Sequence, residues 1–328
     1  MLDGYIPTEE EVLMLMNPAY ISLDELVHVA KLITKRHHGE VLDMCTIRAA
    51  KVGRCSANCA FCSQSSYHKC DIQEIGANDI EPDEIVAHAL EFQEIGVTRF
   101  SLVTSGEQLN DSEFEHILHI YQRLHSETSL MLCASLGSLN EERARRLNES
   151  GVTRYHHNIE TARSYFSQIC STHSYDDKLL TINIARAVGM EICCGGIISM
   201  GETSAQRIEM AFALRELDVD CVPINILNPI EGTRLEKQPL ISVNEILRTI
   251  ALFRLILPNK TLCFAGGRQN AMGDKEYAGY DAGINALMVG NFLTTNGKDL
   301  KIEIENLSAL GYAIQPNGEV NAVAKEIS

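Results

Sequence analysis

The sequence has no basic block longer than Lys35-Arg36-His37-His38, and its formal net charge is −16. Both features argue against a nucleic-acid partner. It has no apolar run long enough to cross a bilayer and no leader-type pattern, so the expected compartment is a reducing cytoplasm, where disulfides are rare. Tryptophan is absent, and no low-complexity tract or short repeat occurs. Disordered and solenoid architectures are thereby set aside. No G-x-G-x-x-G follows the first apolar run, which weakens an open doubly wound sheet. The rest is ordinary for a globular chain: 328 residues, 45% hydrophobic and 22% charged. That length accommodates one large core or two modest ones.

The chain is rich in cysteine, with 11 residues. Three of them fall in Lys51-Val52-Gly53-Arg54-Cys55-Ser56-Ala57-Asn58-Cys59-Ala60-Phe61-Cys62, a C-x3-C-x2-C run. Three thiolates this close can hold three corners of a four-iron four-sulfur cube. No fourth cysteine falls in the run, so one iron stays open for a ligand or for chemistry. The alternative is a closed tetrahedral zinc site with Cys70 or His68 as fourth ligand. The run, with Phe61 just before its last cysteine, resembles the S-adenosylmethionine (SAM) radical superfamily. There the open iron chelates S-adenosylmethionine, and an electron from the cube splits it into methionine and a 5′-deoxyadenosyl radical.

Periodicity gives the architecture. Residues 1–40 read as a helical extension, with helices over 9–16 and 23–36, the second capped by Ser22. Residues 41–300 alternate short apolar runs with amphipathic helices. The runs are 41–49, 99–105, 130–136, 154–160, 191–199, 221–227, 261–267 and 286–290. The helices are 82–94, 112–126, 140–150, 176–188, 204–217 and 243–257. Asn140 and Ser242 suit helix starts, and Gly96, Gly151 and Gly189 suit helix ends. Eight strands alternating with helices predict an α/β fold, a (β/α)8 TIM-type barrel, with the cysteine run at its C-terminal mouth. Residues 301–328 read as a closing helix and a loose end.

Five further cysteines occupy predicted strands: Cys45, Cys133, Cys193, Cys221 and Cys263. One such residue is usually a small buried apolar group. Five at similar depth point to a second iron–sulfur cluster inside the barrel. Cys194 alternates outward and Cys170 reads as structural; Cys70 has no assignment. Adjacent strand residues face opposite ways, so the His156-His157 pair reads as pocket lining and packing.

Further segments resemble the biotin synthase family: Gln64-Ser65-Ser66, Ala134-Ser135-Leu136-Gly137, Tyr155-His156-His157-Asn158-Ile159-Glu160-Thr161, Gly195-Gly196 through Gly201-Glu202-Thr203, Val222-Pro223-Ile224-Asn225-Ile226-Leu227 and Ala265-Gly266-Gly267-Arg268. The resemblance covers roughly residues 40–312. It implies sulfur insertion into dethiobiotin by deoxyadenosyl radicals, with a sacrificed auxiliary cluster as sulfur source. The commonest family pattern holds a two-iron cluster with three cysteines and one arginine. Cys133 and Cys193 match two of those cysteines. The third falls on Ser101, the arginine falls on Cys263, and two nearby serines become Cys45 and Cys221. The resemblance therefore implies an altered auxiliary cluster, of the two-iron or four-iron type, on some of these five thiols.

It also implies that Gly195 and Gly196 admit the methionine part of the cofactor, and that Asn158 and Glu160 serve its ribose. Asn158 and Asn225 suit the ureido ring of dethiobiotin, and Lys51 lies near the substrate. Lys178 or His173 suits the cofactor carboxylate, though an arginine is commoner at Lys178. The plainer role for Asn158, Asn225 and Glu160 is capping of strand-end backbone, and for Lys178 a solvated helix position. A flavodoxin or ferredoxin electron donor and a homodimer are further family expectations. Rival functions are a sister radical enzyme, of the hydrogenase-cofactor maturase or methylornithine synthase type, and a noncatalytic iron–sulfur carrier.

Overall fold

The computed structural model describes residues 5, 7–290, 298 and 300–314. Two capped helices open the chain. α1 (Glu9–Leu15) starts at Thr8 and α2 (Leu23–His38) at Ser22, each in a capping box with the glutamate three residues on. α1 lies against α8 (Ser204–Glu216) and α2 against α9 (Val243–Ile256).

The barrel follows. Its strands are β1 (Val41–Lys51), β2 (Arg99–Thr104), β3 (Met131–Ser135), β4 (Val152–His156), β5 (Glu191–Cys193), β6 (Gly196–Ile198), β7 (Cys221–Ile226), β8 (Thr261–Phe264) and β9 (Ala286–Val289). Every pairing is parallel, and β9 closes onto β1 from Asp43↔Ala286 to Thr46↔Val289. β5 and β6 share the fifth barrel position, so the expected single run 191–199 is split at Cys194-Gly195. The expected fourth strand, 154–160, instead begins at Val152 and ends at His156. Glu160 has left strand geometry with φ +68°, a left-handed conformation that side chains rarely adopt.

Connecting helices are α3 (Pro82–Glu94), α4 (Asp111–Glu127), α5 (Glu141–Glu149), α6 (Arg163–Ile169) and α7 (Tyr175–Ala187), then α8 and α9. Short α10 (Arg268–Met272) and α11 (Ala278–Asp281) precede α12 (Leu300–Ala309). Pattern reading missed α6, α10 and α11, which are too short to show a helical period. A last short strand, β10 (Ala313–Ile314), lies beside the start of β1. The expected loose end beyond 314 lies outside the described residues. Among the described residues, no helix is long and apolar enough to cross a membrane.

Strand parity decides where the chemistry sits. Phe100, Leu132, Tyr155, Val222, Leu262 and Leu287 are buried in the main core with the surrounding helices. The alternate face carries Cys45, Arg154, His156, Cys193, Cys221 and Cys263, which line an internal cavity. An ordinary barrel interior is packed with branched apolar layers. This one is built of sulfur and charge.

Burial also leaves a pH signature in the fold. His38, at the end of α2, is held neutral: burial first, then the nearby Arg254 guanidinium, lowers its pKa to about 3. Its Nε2 lies 3.1 Å from Arg254 Nη1, placed to accept. A base depressed on folding stabilises above its unfolded pKa, near 6.5, and that stability is lost as pH falls toward 3. His38→Gln is expected to flatten this part of the pH–stability curve, by roughly 2–4 kcal/mol at one pKa unit per 1.36 kcal/mol with allowance for partial exposure. Urea melts at pH 7 and pH 4.5 check it; an unchanged pH slope in the variant refutes it.

Candidate active site at the mouth and interior of the barrel

The cysteine run forms a folded loop directly after β1. Gly53, at φ +103°, and Arg54, at φ +40°, turn the chain. The Cys55 amide donates to Gln64 O at 2.8 Å, Ser66 N to Cys55 O at 2.9 Å, and Ser65 Oγ to Ala57 O at 2.7 Å. The Gln64 side chain accepts from Gly53 N at 3.1 Å. These bonds fix the loop before any metal arrives. The Ala57 amide points at Cys55 Sγ, 3.4 Å away. Burial pushes the Cys62 thiol up to about 11.

Among the described residues, only Cys59, Cys170 and His173 bring three donor atoms within 4.8 Å of one another. Cys55, Cys59 and Cys62 are therefore spread wider than one ion can gather. That spread suits a cube, in which each thiolate takes a separate iron. The zinc alternative finds no support in its expected fourth ligands. Cys70 Sγ donates to Glu231 O at 3.3 Å, and His68 Nδ1 lies 2.8 Å from Cys62 O.

Cys170 is more than the structural residue expected from the sequence. Its Sγ lies 3.9 Å from Cys59 Sγ, 3.4 Å from His173 Nδ1 and 3.4 Å from Thr172 Oγ1. The Cys59 thiol donates to it, which pulls Cys170 down to about 4 and raises Cys59. Metal on Cys59 would displace that proton and reverse the sharing, making Cys170 the donor. Hydrogen bonds to ligand sulfurs tune such clusters. The signal in the sequence was the C-x2-H pair itself, Cys170 and His173. Asn58 ties the two loops together, donating from Nδ2 to Ser171 Oγ at 2.8 Å and accepting from Ser171 N at 2.9 Å.

A cavity of about 240 Å³ lies between this loop and the strand ends. Phe61, Cys62, Gln64, Asn225, Gly266 and Met288 are among its walls. Asn225 Oδ1 accepts from Gly266 N at 3.0 Å and its Nδ2 donates to Gly196 O at 3.2 Å. Asn158 Oδ1 accepts from Gly195 N at 3.0 Å. Both asparagines thus cap strand-end backbone, and only Asn225 also lines the cavity. Burial raises the Glu160 pKa, with Lys178 and Asn158 opposing. Lys178 lies within electrostatic reach of Glu160, Cys59 and His173. Lys51 is ion-paired to Glu113 at 2.7 Å and does not line the cavity.

Gly195 and Gly196 have a packing reason beyond ligand access. A Cβ on Gly195 would stand 2.1 Å from Pro223 O, and one on Gly196 would stand 2.5 Å from Glu160 O. The glycines let β6 lie against its neighbours, whatever approaches from above.

Beneath lies a second, smaller cavity of about 40 Å³, sharing Met288 as a wall with the first. It is lined by Cys45, Cys193, Cys221 and Cys263, with Asp43, Arg99, Arg154 and His156 among the others. Cys45 Sγ lies 4.0 Å from Cys263 Sγ. Cys193 and Cys263 both hydrogen-bond to Cys221, which lowers Cys221 and raises the other two, and Arg154 also favours the Cys221 thiolate. Cys133 is buried in register with Arg154 but is not among the lining residues. Burial pushes its thiol up to about 11, opposed by Arg154 and Arg99. Cys194 packs in the main core, on the opposite face from Cys193.

The cavity floor is a charge network that pattern reading missed. Arg154 Nη2 meets Glu191 Oε2 at 2.7 Å; Arg99 reaches Glu191 at 3.5 Å and Asp43 at 3.4 Å. Each residue sits at the start or middle of an apolar run, where a lone charge reads as a strand edge.

The barrel and its cysteine loop define a radical SAM enzyme: residues 51–214 match the Radical SAM superfamily. That superfamily implies a four-iron cluster and S-adenosylmethionine, and the loop's three spread thiols fit such a cube. Residues 223–313 match the Biotin and Thiamin Synthesis associated domain. The chain belongs to the biotin synthase family. It is 48% identical over 309 residues to biotin synthase of Caldicellulosiruptor bescii, covering 94% of this chain and 90% of that one. It is 50% identical over 289 residues to that of Heliobacterium modesticaldum, covering 88% of each. Methylornithine synthase has the same fold, with TM-score 0.83 at 18% identity over 96% of each chain. A maturase of the [FeFe]-hydrogenase gives 0.81 at 17% identity, covering 96% of this chain and 74% of that one.

Proposed function

We propose that this chain inserts sulfur into dethiobiotin to form biotin, as a radical S-adenosylmethionine sulfurtransferase. One observation carries the reading: a thiol-lined cavity lies directly under the mouth cavity, and the two share Met288. A substrate in the upper cavity would meet the cube loop on one side and the sulfur store on the other.

Cys55, Cys59 and Cys62 would hold the four-iron cube, which together with S-adenosylmethionine would supply the radical chemistry for hydrogen abstraction. Some of Cys45, Cys133, Cys193, Cys221 and Cys263 would hold an auxiliary cluster, which would supply the sulfur. The cavity fits that second group because its donors are soft thiols, one of them, Cys221, favoured as thiolate by hydrogen bonds from Cys193 and Cys263 and by Arg154. Phe61 covers one wall beside Cys62 and helps keep water from the mouth. Asn225 holds its amide toward the cavity by bonding Gly196 and Gly266, where paired donors and acceptors suit a urea. Asn158 orders Gly195 beneath the cofactor region. Glu160, whose pKa burial raises against the opposing Lys178 and Asn158, is suited to hydrogen-bond ribose hydroxyls, and Lys178 or His173 to meet the cofactor carboxylate. Lys51 can reach substrate only by leaving Glu113. A flavodoxin or ferredoxin donor, a homodimer and a cytoplasmic location complete the proposal by family resemblance.

Anaerobic assay of 5′-deoxyadenosine release tests it. Release that rises with dethiobiotin, one per carbon–hydrogen bond broken, with biotin formed, is the expected result. Release indifferent to dethiobiotin would favour a sister radical enzyme. No release from cluster-loaded protein would favour a carrier.

A further inference from the structure

The thiol cavity contains one donor that is not a thiol. His156 ends β4, in register with Cys193, and its ring lines the same cavity. Its Nε2 is shut from solvent and has no protein hydrogen-bond partner. Leaving a buried imidazole nitrogen unpaired is costly, so it calls for an explanation. Three other imidazoles share that condition: His68, His88 and His157. None of them lines this cavity. His157 faces the opposite way, with its ring stacked 6.3 Å from that of Tyr155.

Charge gives the second argument. Of the cations at the cavity floor, Arg99 is shared between Asp43 and Glu191, and Arg154 already serves both Glu191 and the Cys221 thiolate. Every thiolate committed to a buried cluster adds negative charge there, and buried charge without a partner is costly. A neutral imidazole adds a ligand without adding charge. Iron–sulfur centres accept such a ligand, and a histidine in place of cysteine raises their potential.

We propose that His156 Nε2 is a ligand to one iron of the auxiliary cluster, completing a mixed thiolate–imidazole set with the cavity cysteines. The inference rests on the proposed sulfur-donor reading and assigns one more of its ligands. The preserving variant is His156→Gln, which keeps a polar side chain of similar length. Wild type and variant are reconstituted anaerobically with 57Fe and sulfide, without S-adenosylmethionine, whose amino nitrogen would contribute a signal of its own. Iron content and Mössbauer spectra are recorded, then nitrogen hyperfine spectra of dithionite-reduced samples grown on 15N-histidine.

The wild type is expected to show a directly coupled histidine nitrogen. The variant should lose that coupling, with loss of auxiliary iron or altered auxiliary Mössbauer parameters. The cube on the mouth loop should be unchanged, which also reports an intact fold. Auxiliary spectra identical in both proteins would overturn the assignment. So would altered spectra with no nitrogen coupling in the wild type. A wild type that holds the mouth cube alone would overturn the sulfur-donor reading as well, and so separates the two failures.

Discussion

Cys59→Ala is expected to abolish S-adenosylmethionine cleavage, to below about 1% of wild type, beyond the 10–100-fold typical of losing a second-shell partner. A cube held by two of its three loop thiols lacks a corner that no backbone group replaces. Auxiliary iron should survive, because the thiol cavity is built from other strands. Cys170 makes the experiment sharper. Its sulfur lies 3.9 Å from that of Cys59, whose hydrogen bond is the main cause of its low pKa and is lost in this variant, with Thr172 and the His173 backbone adding less. If Cys170 could swing in as a substitute ligand, Cys59→Ala would retain cleavage and only Cys59→Ala/Cys170→Ala would lose it. We expect no rescue, since Cys170 is anchored by the Asn58, Thr172 and His173 side chains. Cys170→Ala alone should keep the cube's four irons per chain, and removing an S–H donor should lower the cube's potential. Iron analysis and spectroelectrochemistry of the three variants check this. Cleavage persisting in the double variant would remove Cys59 from the ligand set.

Much of this was legible in the sequence because local physics agreed with the global fold. Ser22 and Ser242 cap helices, and Gly96, Gly151 and Gly189 end them with positive φ, as composition alone implied. Strand parity correctly put Cys193 on one face and Cys194 on the other. The failures have physical causes too. The fifth run looked continuous because glycines do not interrupt an apolar pattern. The Pro223 carbonyl, 28 positions away, shows why Gly195 must be glycine, since a Cβ there would stand 2.1 Å from it. For Asn158 and Asn225 the sequence offered both ligand binding and backbone capping; the capping partners, Gly195, Gly196 and Gly266, lie across strand neighbours that no sequence window contains. Cys170 and His173 lie more than 100 residues from Cys59, so their meeting depends on barrel closure. The ion pairs of Asp43, Arg99, Arg154 and Glu191 likewise join four separate strands.

Cys263→Ala is expected to abolish biotin formation and strip auxiliary iron while cofactor cleavage persists. Cys263 is central in the thiol set, 4.0 Å from Cys45 and hydrogen-bonded to Cys221. It stands on β8 between Pro223 of β7 and Ala286 of β9 in register, neither of which can supply a ligand. Loss of this sulfur therefore opens a gap in the wall that no adjacent side chain fills. The substitution deletes one buried atom, less than the Leu→Ala changes that cost about 2.7–5 kcal/mol, so the barrel should still fold. Cys194→Ala is the matched control: an equally buried thiol one face away, removed from the core and not from the cavity. It should form biotin normally. If Cys263→Ala gives a full yield of biotin with auxiliary iron intact, then Cys45, Cys133, Cys193 and Cys221 suffice, and Cys263 is a packing residue like Cys194. If instead Cys263→Ala loses biotin but keeps all auxiliary iron, its sulfur acts in transfer and not in holding the cluster. Iron and sulfide counts taken alongside biotin yield distinguish these outcomes, and only joint loss of iron and product supports the ligand role argued from the cavity's geometry.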